Sequence, residues 1–260
     1  MMTTYVTGAE GMLGRAVWQE LMRNREMSFI EGRSHKQLDI SVWSHVHELG
    51  LREGDVIINC AGVRAHTGRS ATEMVLANAV GPHVLADACA RVGAHLYHIS
   101  TDCVFSAKRW DHDPSMNAIT TPPTPELDDL YGRSKLTGEP SNATTIRTSF
   151  VGPEHGLWRW LADQPKNAAV EAWYKAFWSG STVWDVAEKI VDIVISQKHE
   201  GLIHLATAVP ITKAQAVSII INHIGREDIV LCPGGPRIDR SMKPTHELRP
   251  LLEAMTTWKG

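Results

Sequence analysis

Three glycines at three-residue spacing, Gly8, Gly11 and Gly14, stand between a short apolar segment, Thr3–Thr7, and an amphipathic stretch, Arg15–Arg23. This order of strand, glycine turn and helix constrains the fold more than any other feature of the chain. A tight βα turn needs a residue that takes positive φ. A pyrophosphate reaches backbone N–H groups only where side chains are absent, and a helix packs close to its strand only over a small residue. The helix N-terminus then stabilises phosphate charge. Gly8, Gly11, Met12, Leu13 and Gly14 are therefore expected to bind a dinucleotide. An ordinary βα turn with incidental glycines has the same spacing, so the rest of the chain must discriminate.

Strand and helix patterns keep alternating after the turn. Met27–Glu31 and the more apolar Asp55–Cys60 (DVIINC) read as strands, with a short polar helix around Val42–Leu49 between them. Ala71–Arg91 has helical periodicity, His95–Ser100 (HLYHIS) reads as the next buried strand, Tyr131–Glu139 as a helix and Thr144–Phe150 as a strand. Right-handed βαβ crossovers over such an order give a parallel sheet covered on both faces. The expected fold class is α/β, a Rossmann-type doubly wound parallel sheet with a small C-terminal substrate lobe. Residues 1–152 form the nucleotide-binding part, and residues 153–260 form mainly the lobe, with elements returning to the sheet. There Trp184–Ser196 and Thr212–Ile224 read as helices, the second capped by Thr212, and Gly201–Ala206 as a strand. Ser106–Leu130, with Pro114, Pro122, Pro123 and Pro125, carries no period and is expected as a long loop near the substrate.

Charge and composition exclude several classes. A net charge of −3 gives no sequence-wide attraction to phosphate backbones or anionic lipid, so neither nucleic acid nor membrane is an expected partner. No apolar run approaches the roughly 18–20 residues of a membrane-spanning helix. The first residues lead into a strand without a basic segment or cleavage site, which makes a cytoplasmic protein the expectation. The four cysteines, Cys60, Cys89, Cys103 and Cys232, lack paired C-x-x-C spacing and read as thiols in a reducing compartment. The 13 histidines form no metal-ligand spacing, so no metal is expected. Trp158, Trp160, Trp173, Trp178 and Trp184 cluster in the second half, where packing is a commoner role than stacking on a sugar.

Candidate chemistry lies at strand ends. After the second strand, Arg33 with Ser34 favours NADPH by neutralising a 2′-phosphate, whereas Glu31 points to the ribose hydroxyls of NADH. Asp39, followed by Ile40, suits either the adenine amino group or the cap of the next helix. Cys60, Ala61 and Gly62 close the third strand where main chain approaches a cofactor, beside Asn59, which is equally suited to anchoring the loop. Asn78, inside an apolar helix, is placed to bridge backbone groups. Tyr131 and Lys135 are four residues apart and share a helix face. A nearby ammonium favours the phenolate and lowers the phenol's pKa, and lysine can also hold the nicotinamide ribose. A surface helix with a chance Y-x-x-x-K is the alternative. The Ser100, Thr101, Asp102 stretch supplies a hydroxyl for a substrate carbonyl at the strand's C-terminal end, with Asp102 equally suited to a substrate role and to a strand-end cap.

Taken together, TGAEGMLG, INCAG, HISTDCVF, YGRSKLTGE and IRTSFVG resemble the extended short-chain dehydrogenase/reductases. Among these the chain is most similar to the dTDP-4-dehydrorhamnose reductases and related NDP-4-keto-6-deoxysugar reductases, in order from Thr4 to about Gly152. The resemblance implies Thr101, Tyr131 and Lys135 as catalytic residues, hydride delivery to a sugar C4 carbonyl, and Tyr131 as proton donor. It also implies a dinucleotide site including Asn78, Ser100, Tyr131 and Lys135. Asp102, Val104, Phe105, Arg147, Ser149 and Phe150 are implied for a nucleotide-sugar substrate, Phe150 standing where rhamnose reductases usually have Trp. The expected cofactor is NADPH, with NADH as the alternative, and a homodimer is left open. Two other functions fit the same fold: an epimerase or dehydratase that retains NAD, and a non-catalytic regulator resembling the β subunit of methionine adenosyltransferase.

Overall fold

A computed structural model describes residues 2–24, 30–65, 67–106, 117–126, 129–197, 199 and 201–257. In chain order these form β1 (Thr4–Thr7), α1 (Met12–Arg23), β2 (Ile30–Arg33), α2 (Trp43–His47), β3 (Val56–Asn59), α3 (Ala71–Val75), α4 (Gly81–Val92) and β4 (His95–Thr101). Then follow α5 (Leu130–Thr137), β5 (Thr144–Thr148), β6 (Phe150–Val151), α6 (Gly156–Ala162), β7 (Ala169–Trp173), β8 (Ala176–Trp178), β9 (Ser181–Thr182) and α7 (Val183–Ile195). The last are β10 (Leu202–Thr207), β11 (Ile211–Thr212), α8 (Lys213–His223), β12 (Val230–Gly234), β13 (Ile238–Asp239), β14 (His246–Leu248) and α9 (Leu251–Thr257).

Seven strands make one parallel sheet in the order β14-β10-β5-β4-β3-β1-β2. Successive residues of its central strands point to opposite faces, and both faces are apolar. Val6 and Ile58 turn toward α1 and α7 with Val17, Leu21, Val186 and Ile190, while Tyr5 and Ile57 turn toward α2 and α4 with Val46, Leu85 and Cys89. Each such side chain, fully withdrawn from water, contributes about 1.5–3 kcal/mol. Strand order reverses between β1 and β3. In open α/β sheets ligands bind in the crevice beyond the strand C-termini at such a switch point.

A second core joins α6, α8 and α9 around Trp158, Leu161, Trp178, Ile220 and Met255. Trp158 and Trp178 are thus packing residues, whereas Trp160 and Trp173 are exposed. Thr212 closes a capping box with Gln215 at the start of α8, satisfying two otherwise orphaned donors.

Two expectations about local structure change. The described second strand spans Ile30–Arg33, so Arg33 lies inside it rather than after it; residues 27–29 of the expected strand lie outside the described residues. The helical stretch from Ala71 is broken by a π turn, Leu76–Val80, which sequence periodicity does not announce. Of the expected 106–130 loop, residues 107–116 and 127–128, Pro114 among them, also lie outside the described residues. Among the described residues no helix is long and apolar enough to cross a membrane.

Candidate active site

The switch point opens a cleft of roughly 390 Å³ beyond the ends of β1, β3, β4 and β5. Gly11, Met12, Leu13 and Gly14 line one side. Gly8 turns the chain at φ +67°, and a side chain there would meet Ala61 backbone at 2.8 Å. A Cβ on Gly14 would fall 2.2 Å from the Gly8 carbonyl oxygen. The turn is therefore as tight as backbone allows, and α1 begins over the cleft with no acidic residue in its first turn. Its unpaired N–H groups and dipole favour an anion there.

The loop after β3 forms another wall through Cys60, Ala61, Gly62, Val63 and Arg64. Asn78 holds it: Val63 N–H donates to Asn78 Oδ1 and Asn78 Nδ2 donates to the Val63 carbonyl, both at 2.7 Å. The same Nδ2 donates to Ser134 Oγ at 3.1 Å, tying the loop to α5. The π turn carries Asn78 inward, completely buried. Such bulges are frequent at functional sites.

Tyr131 and Lys135, one turn apart on α5, line the cleft with Ser100 and Thr101. Asp129 caps the helix by accepting from Gly132 N–H at 2.9 Å. Burial pushes the Tyr131 phenol above its ordinary value, with Cys103 acting in the same direction and the Thr101 hydroxyl against it. The net direction is thus opposite to the lowering expected from a nearby ammonium. Lys135 Nζ is turned instead to the Ile99 carbonyl oxygen, at 2.6 Å. Burial holds the Lys135 ammonium down at about 8, with Glu139 and Cys60 opposing.

Beneath Lys135 runs a buried polar chain whose hydrogen positions follow from one donor that cannot turn round. Ala61 N–H donates to Asn59 Oδ1 at 3.1 Å, and Thr7 Oγ1 donates to the same oxygen at 2.6 Å. The amide nitrogen of Asn59 therefore donates to His98 Nδ1 at 3.0 Å. Burial keeps His98 neutral, well below its ordinary value. A neutral imidazole that accepts at Nδ1 carries its proton on Nε2, here facing Lys135 Nζ at 3.4 Å.

Other expected site residues lie elsewhere. Arg33 pairs with Glu31, two residues back on the same face of β2, so the two rival charges neutralise each other outside the cleft lining. Asp39 accepts from Ser41 N–H at 3.0 Å and Ser41 Oγ at 2.7 Å, the geometry of a turn before α2. Ser34 and Ile40 are buried away from the cleft. Val104 and Phe105 belong to a small core with Ala206 and Met242 rather than to the cleft. Arg147 is buried in a two-pronged pair with Glu139 at 2.9 and 2.7 Å, over the Phe105 ring. Asp102 is buried beside the cleft, accepting from Thr101 Oγ1 at 3.1 Å. Ser149 and Phe150 do line it.

Ten lining residues are not among the sequence candidates: Val63, Ile99, Val151, Gly156 and Leu157, and the more polar or larger Arg64, Thr148, His155, Trp178 and Lys213. Thr148 and Arg64 adjoin motifs read from sequence. His155, Trp178 and Lys213 come from distant segments, and no local pattern announces that they meet the motif residues.

This fold and cleft define a Rossmann-type protein of the short-chain dehydrogenase/reductase class. The chain belongs to the RmlD substrate binding domain family, whose model matches residues 2–255. It is 37% identical over 158 residues to a dTDP-4-dehydrorhamnose reductase of Mycobacterium tuberculosis, a match covering 56% of this chain and 49% of the relative. It is 29% identical over 251 residues to a protein of the same name from Mycolicibacterium smegmatis, covering 92% of this chain and 74% of the relative. The chain therefore spans about half the length of the first relative. A crystal structure of dTDP-4-dehydrorhamnose reductase from Bacillus anthracis in complex with NADP superposes with a TM-score of 0.82 at 20% identity, over 98% of each chain.

Proposed function

We propose that this chain is an NADPH-dependent reductase of a nucleotide-linked 4-keto-6-deoxysugar. The observation that carries the reading is the meeting, in one cleft, of Tyr131, Lys135 and Thr101 with a glycine turn stripped of side chains. The turn and the start of α1 fit a dinucleotide diphosphate, and the Val63 loop held by Asn78 fits the approach of its nicotinamide half.

A bound NADPH supplies hydride to the sugar's C4 carbonyl carbon. The chain's own task is to give the oxygen a proton and hold it still. Burial keeps the Tyr131 phenol protonated at neutral pH, the state a proton donor needs. The Thr101 hydroxyl, whose single proton goes to Asp102 Oδ1, would turn to donate a second hydrogen bond to the same oxygen, stabilising negative charge as it develops. Lys135, cationic below about 8, is placed to donate to ribose hydroxyls while it keeps the Ile99 carbonyl. Ser149 and Phe150 form part of the sugar pocket. Arg33 favours NADPH once released from Glu31, and the named activities of the relatives support the substrate class.

The test is a matrix of dTDP-, UDP- and GDP-4-keto-6-deoxysugars against NADPH and NADH, followed by loss of cofactor fluorescence. Sugar-dependent oxidation of NADPH in preference to NADH is expected. Absence of oxidation with every sugar, despite dinucleotide binding, removes the reading.

A further inference from the structure

Lys213 is the first residue of α8, directly after the capping threonine, and it lines the cleft from the side opposite in sequence to every recognised motif. Its ammonium sits 5.0 Å above the centroid of the Trp178 ring. That ring is itself fixed: it is 2% exposed, and its indole N–H donates to Ser149 Oγ at 2.7 Å. Among the described residues Lys213 has neither an ion pair nor a hydrogen bond, and its exposed part faces the cleft.

The protein stabilises this charge poorly. A cation in the first turn of a helix sits at the positive end of the dipole, where lysine is disfavoured, and no acidic residue accompanies it in that turn. Burial depresses its ionisation. The largest opposing influence is Asp102, whose carboxylate already accepts from Thr101 Oγ1 and Cys103 Sγ. Arg64 lines the same cleft and adds to its positive character. The Trp178 face offsets the cost only in part. A charge so placed is out of keeping with a purely structural role, and it is complemented by an anion entering the cleft.

We propose that Lys213 is the anion anchor of this cleft, holding the diphosphate of the nucleotide-linked substrate over Trp178. The proposal rests on the ketosugar-nucleotide reading above. The dinucleotide's own diphosphate is accounted for by the glycine turn on the β1 side, which leaves the α8 side to the second anion.

The experiment compares wild type, Lys213→Met and Lys213→Arg, each saturated with NADP. Calorimetry measures binding of dTDP, UDP and GDP, with thymidine, uridine and guanosine as uncharged controls. Lys213→Met is expected to weaken the tightest diphosphate by about tenfold or more, the scale of a hydrogen bond to a charged group. Nucleoside and NADP affinities stay unchanged, and Lys213→Arg retains the diphosphate. Without ligand, Lys213→Met melts no lower than wild type, because it removes a strained charge. Unchanged diphosphate affinity in Lys213→Met overturns the proposal, as does a lower melting temperature with arginine failing like methionine, which marks a packing role. Binding needs no turnover, so the two readings fail separately. If no ketosugar is reduced but Lys213→Met loses the diphosphate, the reductase falls and the anchor stands. If a ketosugar is reduced with an unchanged KM in Lys213→Met, the anchor falls and the reductase stands.

Discussion

Lys135 Nζ donates to the Ile99 carbonyl oxygen at 2.6 Å, so the cation that α5 carries into the cleft is tied to the sheet one residue before Ser100 and two before Thr101. Its other close neighbour, His98 Nε2, is a donor by the hydrogen-bond accounting through Ala61 and Asn59, and offers the ammonium nothing to bond. Nitrogen NMR of the imidazole should therefore report His98 neutral and protonated on Nε2 through the neutral range. A proton on Nδ1 contradicts the network.

The Lys135 shift sets a pH dependence. Its folded-state value is lowered to about 8, so the ammonium is present below that pH and lost above it. If the cation holds the ribose, kcat/KM for NADPH declines as pH rises through about 8, since that ratio reports groups of the enzyme free of cofactor. Lys135→Arg, which does not titrate in this range, removes that limb from the profile. A wild-type profile flat to about pH 10, the range of an unperturbed lysine, contradicts the assignment.

At Gly8 and Gly14 the glycine turn has no room for even one methyl group. Gly14→Ala places Cβ against the Gly8 carbonyl at 2.2 Å and forces β1 and α1 apart. Loss of NADPH binding, read by fluorescence titration, is expected with the remaining sheet intact by circular dichroism. Wild-type affinity in this variant shows that the dinucleotide does not lie on the turn.

Asn78→Ala removes three hydrogen bonds at once, two part-buried ones to Val63 and a buried one to Ser134. Stripping partners from buried groups costs about 1–3 kcal/mol each where they stay dry. A lower melting temperature is expected together with a raised KM for NADPH. A change in stability alone makes Asn78 a structural clamp without influence on the cofactor.

Glu139 accepts from Arg147 twice and from Ser100 Oγ at 2.5 Å, so Glu139→Gln leaves a buried guanidinium uncompensated. Breaking a buried pair on one side costs about 3–5 kcal/mol, measurable by urea unfolding. A variant as stable as wild type shows that water reaches Arg147.

Much of the site is written locally and is legible for that reason. The glycine turn, the Tyr131–Lys135 spacing and the Ser100–Thr101 strand end each lie within a few residues, and period and turn chemistry suffice to place them. Arg147, Val104 and Phe105 were misplaced because adjacency in sequence to a motif does not say which way a side chain faces. The pleat of β5 and the short turn after Thr101 send these three into the core. Arg33 and Glu31 read as rivals for the ribose, whereas alternation along β2 puts both on one face, where they pair. Lys213 and Trp178 were illegible on physical grounds: they reach the cleft only through the packing of α8 and β8, more than 40 residues after α5.

In the proposed reaction the Tyr131 phenol delivers the proton that completes carbonyl reduction. The most direct measurement is single-turnover NADPH oxidation by wild type and Tyr131→Phe with the preferred ketosugar, NADPH affinity being measured alongside. A rate lower by about 10²–10⁴-fold is expected, the usual worth of a positioned general acid, with cofactor affinity kept. Oxidation at the wild-type rate in Tyr131→Phe contradicts this role.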